Sequence, residues 1–232
     1  EKCVPLLPRL ADGVRPPSVA VLMSWERGGP WVYPDCFPPV GGDASLTEFC
    51  RLARARGWHV GSFCNGTRWV MKHLFNDYDG LQYFRDHDGE QGLCRQPDGG
   101  WWHENWDQSW RPSVITCMAQ AQTRRIARDF VRRLIGWGME SIQFFDQNCN
   151  ASTFPCFAAG HGHPPGPGKW MARAMADIMA DFRAAAVEAG EGEVIHSTEW
   201  PTNEFCLPLF QQSDVRVSVP SSGDAAFVPV YH

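Results

Sequence analysis

Short apolar segments with β-strand character alternate along this chain with longer segments of helical periodicity. Helical patterns cover residues 46–57, 119–137 and 169–189, where apolar side chains recur on one face. The strand-like segments are residues 19–23, 60–64, 141–145, 193–197, 215–219 and 226–231. This alternation predicts an α/β fold in which a parallel sheet is covered by helices on both faces.

Polar residues follow several of these segments at their carboxyl ends, among them Glu26, Asn65, Asp146 and Glu199. Functional groups at the carboxyl ends of successive parallel strands are typical of a (β/α)8 TIM barrel. A doubly wound sheet is the alternative, but it is expected to carry a glycine-rich phosphate turn, and neither GxGxxG nor GxxxxGK(S/T) occurs here. We therefore predict a (β/α)8 barrel.

A complete barrel needs eight strands, and the sequence shows about six of them. We expect residues 1–232 to form a single catalytic domain that is a fragment of a longer barrel, with one strand absent at each end. The alternative is that residues 1–17 supply an irregular strand. A loop-rich insertion, dense in Gly, Asp and Trp, is predicted at residues 66–112.

Charge and hydropathy exclude several classes of partner. The formal net charge is −5 and no run of Lys or Arg forms a basic patch, so nucleic acid and anionic membrane surfaces are not expected partners. No apolar run approaches the roughly 20 residues of a membrane span. The chain does not open on a signal peptide, and both a cytoplasmic and a secreted location stay open. The oligomeric state is unknown from the sequence.

Tryptophan is unusually frequent, with 11 residues. Four Trp residues in the later part of the insertion fit either a sugar-stacking wall or a small core of the insertion itself: Trp101, Trp102, Trp106 and Trp110. Eight of the 11 follow strand-like segments or lie in predicted loops, which favours a binding surface: Trp25, Trp31, Trp69, Trp101, Trp102, Trp106, Trp110 and Trp200.

Two carboxylates are the strongest catalytic candidates. Asp146 follows the segment 141–145, although Asp is depleted in strands, and Gln147 and Asn148 extend the polar cluster. Glu199 follows the next segment. Because adjacent parallel strands lie about 4.8 Å apart, the two carboxyl groups can reach the ~5–5.5 Å separation of retaining glycosidases. Asp146 would then attack the anomeric carbon, and Glu199 would protonate the leaving oxygen.

The predicted acid has an apolar neighbour and a competitor. A general acid must be protonated at rest, which requires a raised pKa, and Trp200 would supply an apolar wall beside Glu199. Glu204, five residues further along the chain, is a competing acid.

Other side chains near the predicted rim suit a pyranose ring. Asn65 offers a hydrogen-bond donor and an acceptor for hydroxyl groups, and Trp69 offers a flat apolar face. Glu26 has a weaker claim from its place after the first segment. The predicted substrate-binding residues are Trp25, Asn65, Trp69, Gln147, Asn148, His161, His163, Trp200, Glu204, Tyr231 and His232.

A loop rich in Gly and Pro at residues 160–168 carries His161 and His163. One interpretation is a shaped wall that hydrogen-bonds to a sugar, and another is a structural turn. A metal site would recruit Cys149 or Cys156, but this order of His and Cys lacks a recognised spacing. We therefore predict no bound metal.

Three motifs resemble a known group of proteins. They are FFDQNCNASTFPCFAAGHGHPPGPGKW at 144–170, NGTRW at 65–69 and HSTEWPTNE at 196–204. They resemble an uncharacterised bacterial family of glycoside-hydrolase-like (β/α)8 barrels. That family is related to endo-α-N-acetylgalactosaminidase-type barrels and more distantly to α-amylase-type barrels. The resemblance covers residues 19–232.

The resemblance implies roles for two residues. In the better-known relatives an Asp that ends barrel strand four is the nucleophile, and a Glu that ends strand five is the acid/base. By position these correspond to Asp146 and Glu199, and the segments here would be barrel strands two to seven. The long His-Gly-His loop is not a feature of the galactosaminidases, which leaves the sugar open.

We thus predict a retaining glycoside hydrolase that cleaves an α-linked glycan in an oligosaccharide or glycoconjugate substrate, without a cofactor. One alternative is a non-catalytic carbohydrate-binding barrel, which would keep the Trp surface without the carboxylate geometry. The other is a metal-dependent hydrolase that uses the His-Gly-His loop.

Overall fold

A parallel β-sheet organises the chain in the computed structural model, which describes residues 4–103, 108–145, 154–190, 192–199 and 205–214. Within these residues, five strands form one parallel sheet in the order β1-β2-β7-β8-β9. This sheet curls into a half-barrel, in agreement with a partial barrel and a mixed α/β fold. The strands are β1 (Ser18–Leu22), β2 (Trp58–Phe63), β3 (Arg68–Val70), β4 (Lys72–His73), β5 (Tyr78–Asp79), β6 (Ser113–Ile115), β7 (Ser141–Phe145), β8 (Ile195–Glu199) and β9 (Gln212–Asp214).

Helices connect successive strands of the parallel sheet, as the alternating pattern predicts. The helix α2 joins β1 to β2, α4 precedes β7, and α5 joins β7 to β8. None of the helices in the described part of the chain has the length and apolar character that a transmembrane segment needs. The helices are α1 (Leu7–Gly13), α2 (Gly42–Arg54), α3 (Leu81–Asp86), α4 (Ala121–Gly136) and α5 (Lys169–Glu188).

The main core lies between the sheet and these helices, and the Phe144 ring is at its centre. Phe144 on β7 makes edge-to-face contacts with Tyr33, Phe130, Phe145 and Phe182, at ring-centroid distances between 5.0 and 6.0 Å. Edge-to-face pairs add stabilisation beyond the apolar area that they bury. The ring of Phe144 therefore joins β7 to α4 and α5.

The insertion between β2 and α4 has a small core of its own. The strands β3 and β6 pair antiparallel, and β4 and β5 form a second two-stranded unit. Trp69 packs edge-to-face on Phe84 at 5.3 Å, and Leu93 and Val114 complete the buried cluster. The insertion thus forms a small packed unit that follows the carboxyl end of β2.

Strand positions agree with the sequence analysis at β7 and shift by one or two residues at β1, β2 and β8. The shift at β8 places Glu199 inside the strand rather than after it, because pairing to β7 and β9 extends β8 through Glu199. The strand β9 at Gln212–Asp214 was not expected, and the predicted strands 215–219 and 226–231 lie outside the described residues.

We predict that Gly66→Ala destabilises the protein by about 2 kcal/mol, because a Cβ at this position would lie 2.1 Å from the Phe144 ring. The ring cannot move aside, since aromatic groups pack around it. Gly13→Ala is the matched control, because a Cβ there meets no atom within 4 Å. Urea-induced unfolding measures both variants, and an equal loss of stability in the two would contradict the prediction.

Candidate functional site

Buried polar side chains gather at the carboxyl ends of the parallel strands, which meet at one edge of the sheet. Glu26 follows β1, Asn65 and Arg68 follow β2, and Glu199 is the last residue of β8. Glu26 and Glu199 are only 2% and 1% exposed. Charged groups are rarely buried unless a partner or a function keeps them there. We call this edge the rim.

Glu199 occupies the rim beside the strand that leads into Asp146. Phe145, the last residue of β7, is paired with Thr198, and Glu199 itself is paired with Asp214 on β9. Several predicted site residues lie outside the described residues: Asp146, Gln147, Asn148, Trp200, Glu204, Tyr231 and His232.

The loop after β2 is held against β7, and the first residue of β3, Arg68, places a buried guanidinium beside it. The backbone N–H of Gly66 donates to the carbonyl oxygen of Phe144 at 3.0 Å. Nη1 of Arg68 donates to Oδ1 of Asn65 at 2.9 Å and to Oγ1 of Thr67 at 3.0 Å. Asn65, a predicted sugar ligand, is therefore fully buried with its carbonyl oxygen bonded to Arg68. The sequence analysis did not single out Arg68.

A second group at the rim surrounds Glu26. Its Oε1 accepts a hydrogen bond from the backbone N–H of Trp31 at 3.1 Å. Nη1 of Arg111 donates to the carbonyl oxygen of Trp31, and its guanidinium lies over the rings of Trp31 and Trp110 at 5.3 and 5.4 Å. Burial raises the pKa of Glu26 from 4.5 to about 7, against opposing backbone hydrogen bonds and the Arg111 charge. Nothing in the local sequence marks Arg111, because Trp31, which accepts its hydrogen bond, lies 80 residues away in the chain.

Two Trp residues predicted to stack on a sugar are part of packed cores. Trp25 is 5% exposed, packs on Phe130 and Trp137, and donates its Nε1–H to Oγ of Ser62 at 2.8 Å. Trp69 is 2% exposed in the core of the insertion. Protein side chains cover both rings, so neither ring offers a free face on which a sugar could stack.

The structure brings together four side chains of the types that bind metals, a grouping that the sequence spacing did not predict. One ligand atom from each of Cys117, Cys156, His161 and His163 lies within 4.8 Å of the others. Sγ of Cys117 is 3.4 Å from Nε2 of His163, and Sγ of Cys156 is 3.4 Å from Nδ1 of His161. Cys117 lies two residues after β6 and far from the other three in the chain, so no local motif could have revealed it. Cys149 lies outside the described residues.

A third thiol borders this cluster. Cys94 hydrogen-bonds with Cys117 and Cys156, and these bonds, together with burial, raise the pKa of Cys94. Hydrogen bonds from Cys117 and Cys94 lower the pKa of Cys156, which is the thiol most readily ionised among the three. The backbone N–H of Arg95 also donates to Sγ of Cys156 at 3.4 Å. The surroundings of Cys156 thus favour a thiolate.

Comparison with protein families gives one match over nearly the whole chain. A family model described as a domain of unknown function, DUF6259, matches residues 18–231. A Bacteroides thetaiotaomicron protein named "Putative glycoside hydrolase" is 23% identical over 199 residues, which cover 86% of this chain and 27% of that protein.

Two solved structures share the fold at low sequence identity. The α-galactosidase TtGalA of Thermus thermophilus, in complex with stachyose, is 20% identical with a TM-score of 0.57, over 91% of this chain and 39% of that one. The ligand-free α-N-acetylgalactosaminidase NagBb of Bifidobacterium bifidum is 13% identical with a TM-score of 0.62, over 90% and 31%. This chain therefore spans between a quarter and two fifths of the length of the proteins that it resembles.

We predict that Glu26 makes the protein less stable as the pH rises from about 4.5 to 7. The folded state holds the Glu26 proton more tightly than the unfolded state, so its contribution is complete below pH 4.5 and is lost through pH 7. Glu26→Gln, which stays neutral, should remove up to about 3 kcal/mol of this dependence.

Urea unfolding at pH 5 and pH 8 tests this prediction by the change in unfolding free energy between the two. Glu193→Gln, a change at an exposed carboxylate, serves as the control and should keep the wild-type dependence. A Glu26→Gln variant with an unaltered pH dependence would exclude Glu26 as its source.

Proposed function

This chain belongs to the DUF6259 family, and from that premise we propose that it carries the catalytic rim of a retaining glycoside hydrolase acting on an α-linked glycan. The proposal is supported by the half-barrel fold, by fold similarity to an α-galactosidase and an α-N-acetylgalactosaminidase, and by a relative named as a glycoside hydrolase. This chain covers only part of the length of each relative, so we propose the activity for the whole protein of which this chain is a part.

The buried carboxyl of Glu199 is the observation that carries the proposal. It ends β8 at the rim, and it follows Thr198, which is paired with the last residue of β7. Asp146 follows that last residue in the sequence. Neighbouring parallel strands are about 4.8 Å apart, and retaining glycosidases need two carboxyl groups separated by ~5–5.5 Å. We therefore expect carboxyl groups at these adjacent strand ends to reach that separation.

The reaction proceeds in two displacements. The Asp146 carboxylate attacks the anomeric carbon while Glu199 gives its proton to the glycosidic oxygen, and the aglycone leaves as an alcohol. The Glu199 carboxylate then takes a proton from water, whose oxygen attacks the anomeric carbon and releases Asp146. The sugar keeps its anomeric configuration, and no cofactor takes part.

Several predicted substrate contacts stay part of this proposal. Gln147, Asn148 and Trp200 adjoin the two carboxylates in the sequence, and Glu204 lies five residues after Glu199. Tyr231 ends the last strand-like segment, and His232 follows it. Galactose and N-acetylgalactosamine are the first sugars to test, because the two solved relatives act on them according to their names.

The metal-dependent alternative finds little support in the cluster geometry. Cys117 and Cys156 are fully buried and His163 nearly so, and four protein donors already surround the centre. A catalytic zinc site keeps one position for water or substrate. The cluster therefore fits a structural role better than a hydrolytic one.

We predict that Asp146→Asn and Glu199→Gln in the full-length protein lower glycosidase activity by roughly 1,000-fold, because each removes one of the two groups that the reaction needs. The effects should differ with the leaving group. Asp146→Asn should be equally damaging for p-nitrophenyl α-glycosides and for oligosaccharides. Glu199→Gln should be less damaging for p-nitrophenol, which leaves without protonation.

Glu193→Gln, an exposed change just before β8, should keep wild-type activity and is the control. Proton NMR of the first product formed should show retention of the anomeric configuration. Unchanged turnover in Asp146→Asn, or inversion in the wild type, would contradict the proposed mechanism. Glycan binding without turnover in the full-length wild type would select the carbohydrate-binding alternative.

A further inference from the structure

We propose that Cys117, Cys156, His161 and His163 bind one structural Zn²⁺ ion that fastens the loop after β7 to the insertion. This site uses neither of the carboxylates proposed for catalysis, Asp146 and Glu199, so the ion would bind whether or not the protein is a glycosidase. We call these four residues the metal cluster.

Two sulfur–nitrogen distances in the metal cluster match an edge of a zinc tetrahedron. With Zn–S bonds near 2.3 Å and Zn–N bonds near 2.0–2.1 Å, the sulfur–nitrogen edge of a tetrahedron is about 3.5 Å. Sγ of Cys117 and Nε2 of His163 are 3.4 Å apart, and so are Sγ of Cys156 and Nδ1 of His161. The four donor atoms all lie within 4.8 Å of one another, so a single ion can contact each of them.

The chemistry of the donors selects zinc among common divalent ions. Two thiolates and two imidazoles form a Cys₂His₂ set, and thiolate ligands disfavour Mg²⁺ and Ca²⁺. Cys117, Cys156 and His163 are buried, and His161 is half-buried. A site closed by four protein ligands and removed from solvent is the arrangement of structural zinc.

Contacts around the metal cluster orient its ligands. Nδ1 of His163 hydrogen-bonds with the carbonyl oxygen of Pro164 at 2.9 Å, which leaves Nε2 directed at Cys117. The His163 ring stacks on Trp170 with the ring centroids 3.7 Å apart, and Trp170 donates to the carbonyl oxygen of Gly166. Such outer contacts are the usual support of metal-binding histidines.

Backbone hydrogen bonds also hold the two cysteines in place. The N–H of Arg95 points at Sγ of Cys156, where it can stabilise a thiolate, and the backbone of Cys156 pairs with Gly166 across the loop. The backbone N–H of Cys117 donates to the carbonyl oxygen of Gly92 at 2.7 Å. The two cysteines are thereby held by different parts of the chain before any ion arrives.

Cys94 is the thiol that must be distinguished from the ligands. Cys94 packs in the same buried cluster as Cys117 and Cys156, and its sulfur lies 3.9 Å from the carbonyl oxygen of Phe154. We assign it as an outer neighbour, because the set of mutually close donors consists of the other four residues. Cys94→Ser therefore serves as a variant inside the same pocket that should keep the ion.

The test begins with the full-length protein, purified without a polyhistidine tag and without chelators. Elemental analysis should find one zinc per chain in the wild type. Cys156→Ser and His163→Ala should each lose the metal, whereas Cys94→Ser and the distant buried Cys50→Ser should retain it. Zinc content unchanged in both ligand variants would overturn the assignment of the ligands, as would its loss in Cys94→Ser.

A measurement on the wild type covers the case in which the ligand variants do not fold. After a chelator has removed the metal, one equivalent of Co²⁺ per chain should bind. The bound Co²⁺ should give the intense absorption of tetrahedral thiolate coordination. Metal removal should lower Tm by roughly 10 °C, reversibly on addition of Zn²⁺, as expected for an ion present at about 1,000 times its Kd. No Co²⁺ binding, or a Cys117–Cys156 disulfide in the isolated protein, would overturn the proposal.

Discussion

Parallel pairing of β1, β2, β7, β8 and β9 is the constraint on which the other features of this molecule depend. Parallel strands all end on the same side, so side chains that are far apart in the chain meet at one rim. The pairing of Phe145 with Thr198 puts Glu199 beside the strand end that precedes Asp146. A slip of one residue in that register would turn Glu199 to the opposite face of the sheet.

The sequence predicts the elements whose signal is local. The strand β7 matches the prediction, and α4 and α5 begin and end within two residues of their predicted bounds, because their apolar periodicity is strong. The two-residue strands of the insertion and the β8 boundary depend on partners elsewhere in the chain. Cys117 joins His163 for the same reason, and the burial of Trp25 follows from rings on α4 that no local pattern discloses.

The connection after β7 has two distinct tasks. Its first residue, Asp146, is the nucleophile in our proposal, and its later part contributes three of the four donors of the metal cluster. A loop that carries chemistry must be variable enough to form a site and rigid enough to hold it. In our proposal, the ion would anchor the later part of this connection to the segment after β6 and so make it more rigid. The half-buried pair of Trp31 and Trp110 over Arg111 similarly stiffens the neighbouring loop.

The close approach of Gly66 to Phe144 limits how homologous chains can diverge. The space that a side chain at residue 66 would need is filled by the aromatic ring of residue 144. Substitution at one position therefore depends on the residue at the other. A larger residue at position 66 is tolerated only if a smaller side chain has replaced the aromatic ring at position 144. Among homologues the two positions should change together, and this coupled substitution would mark lineages in which the loop beside the rim has been rebuilt.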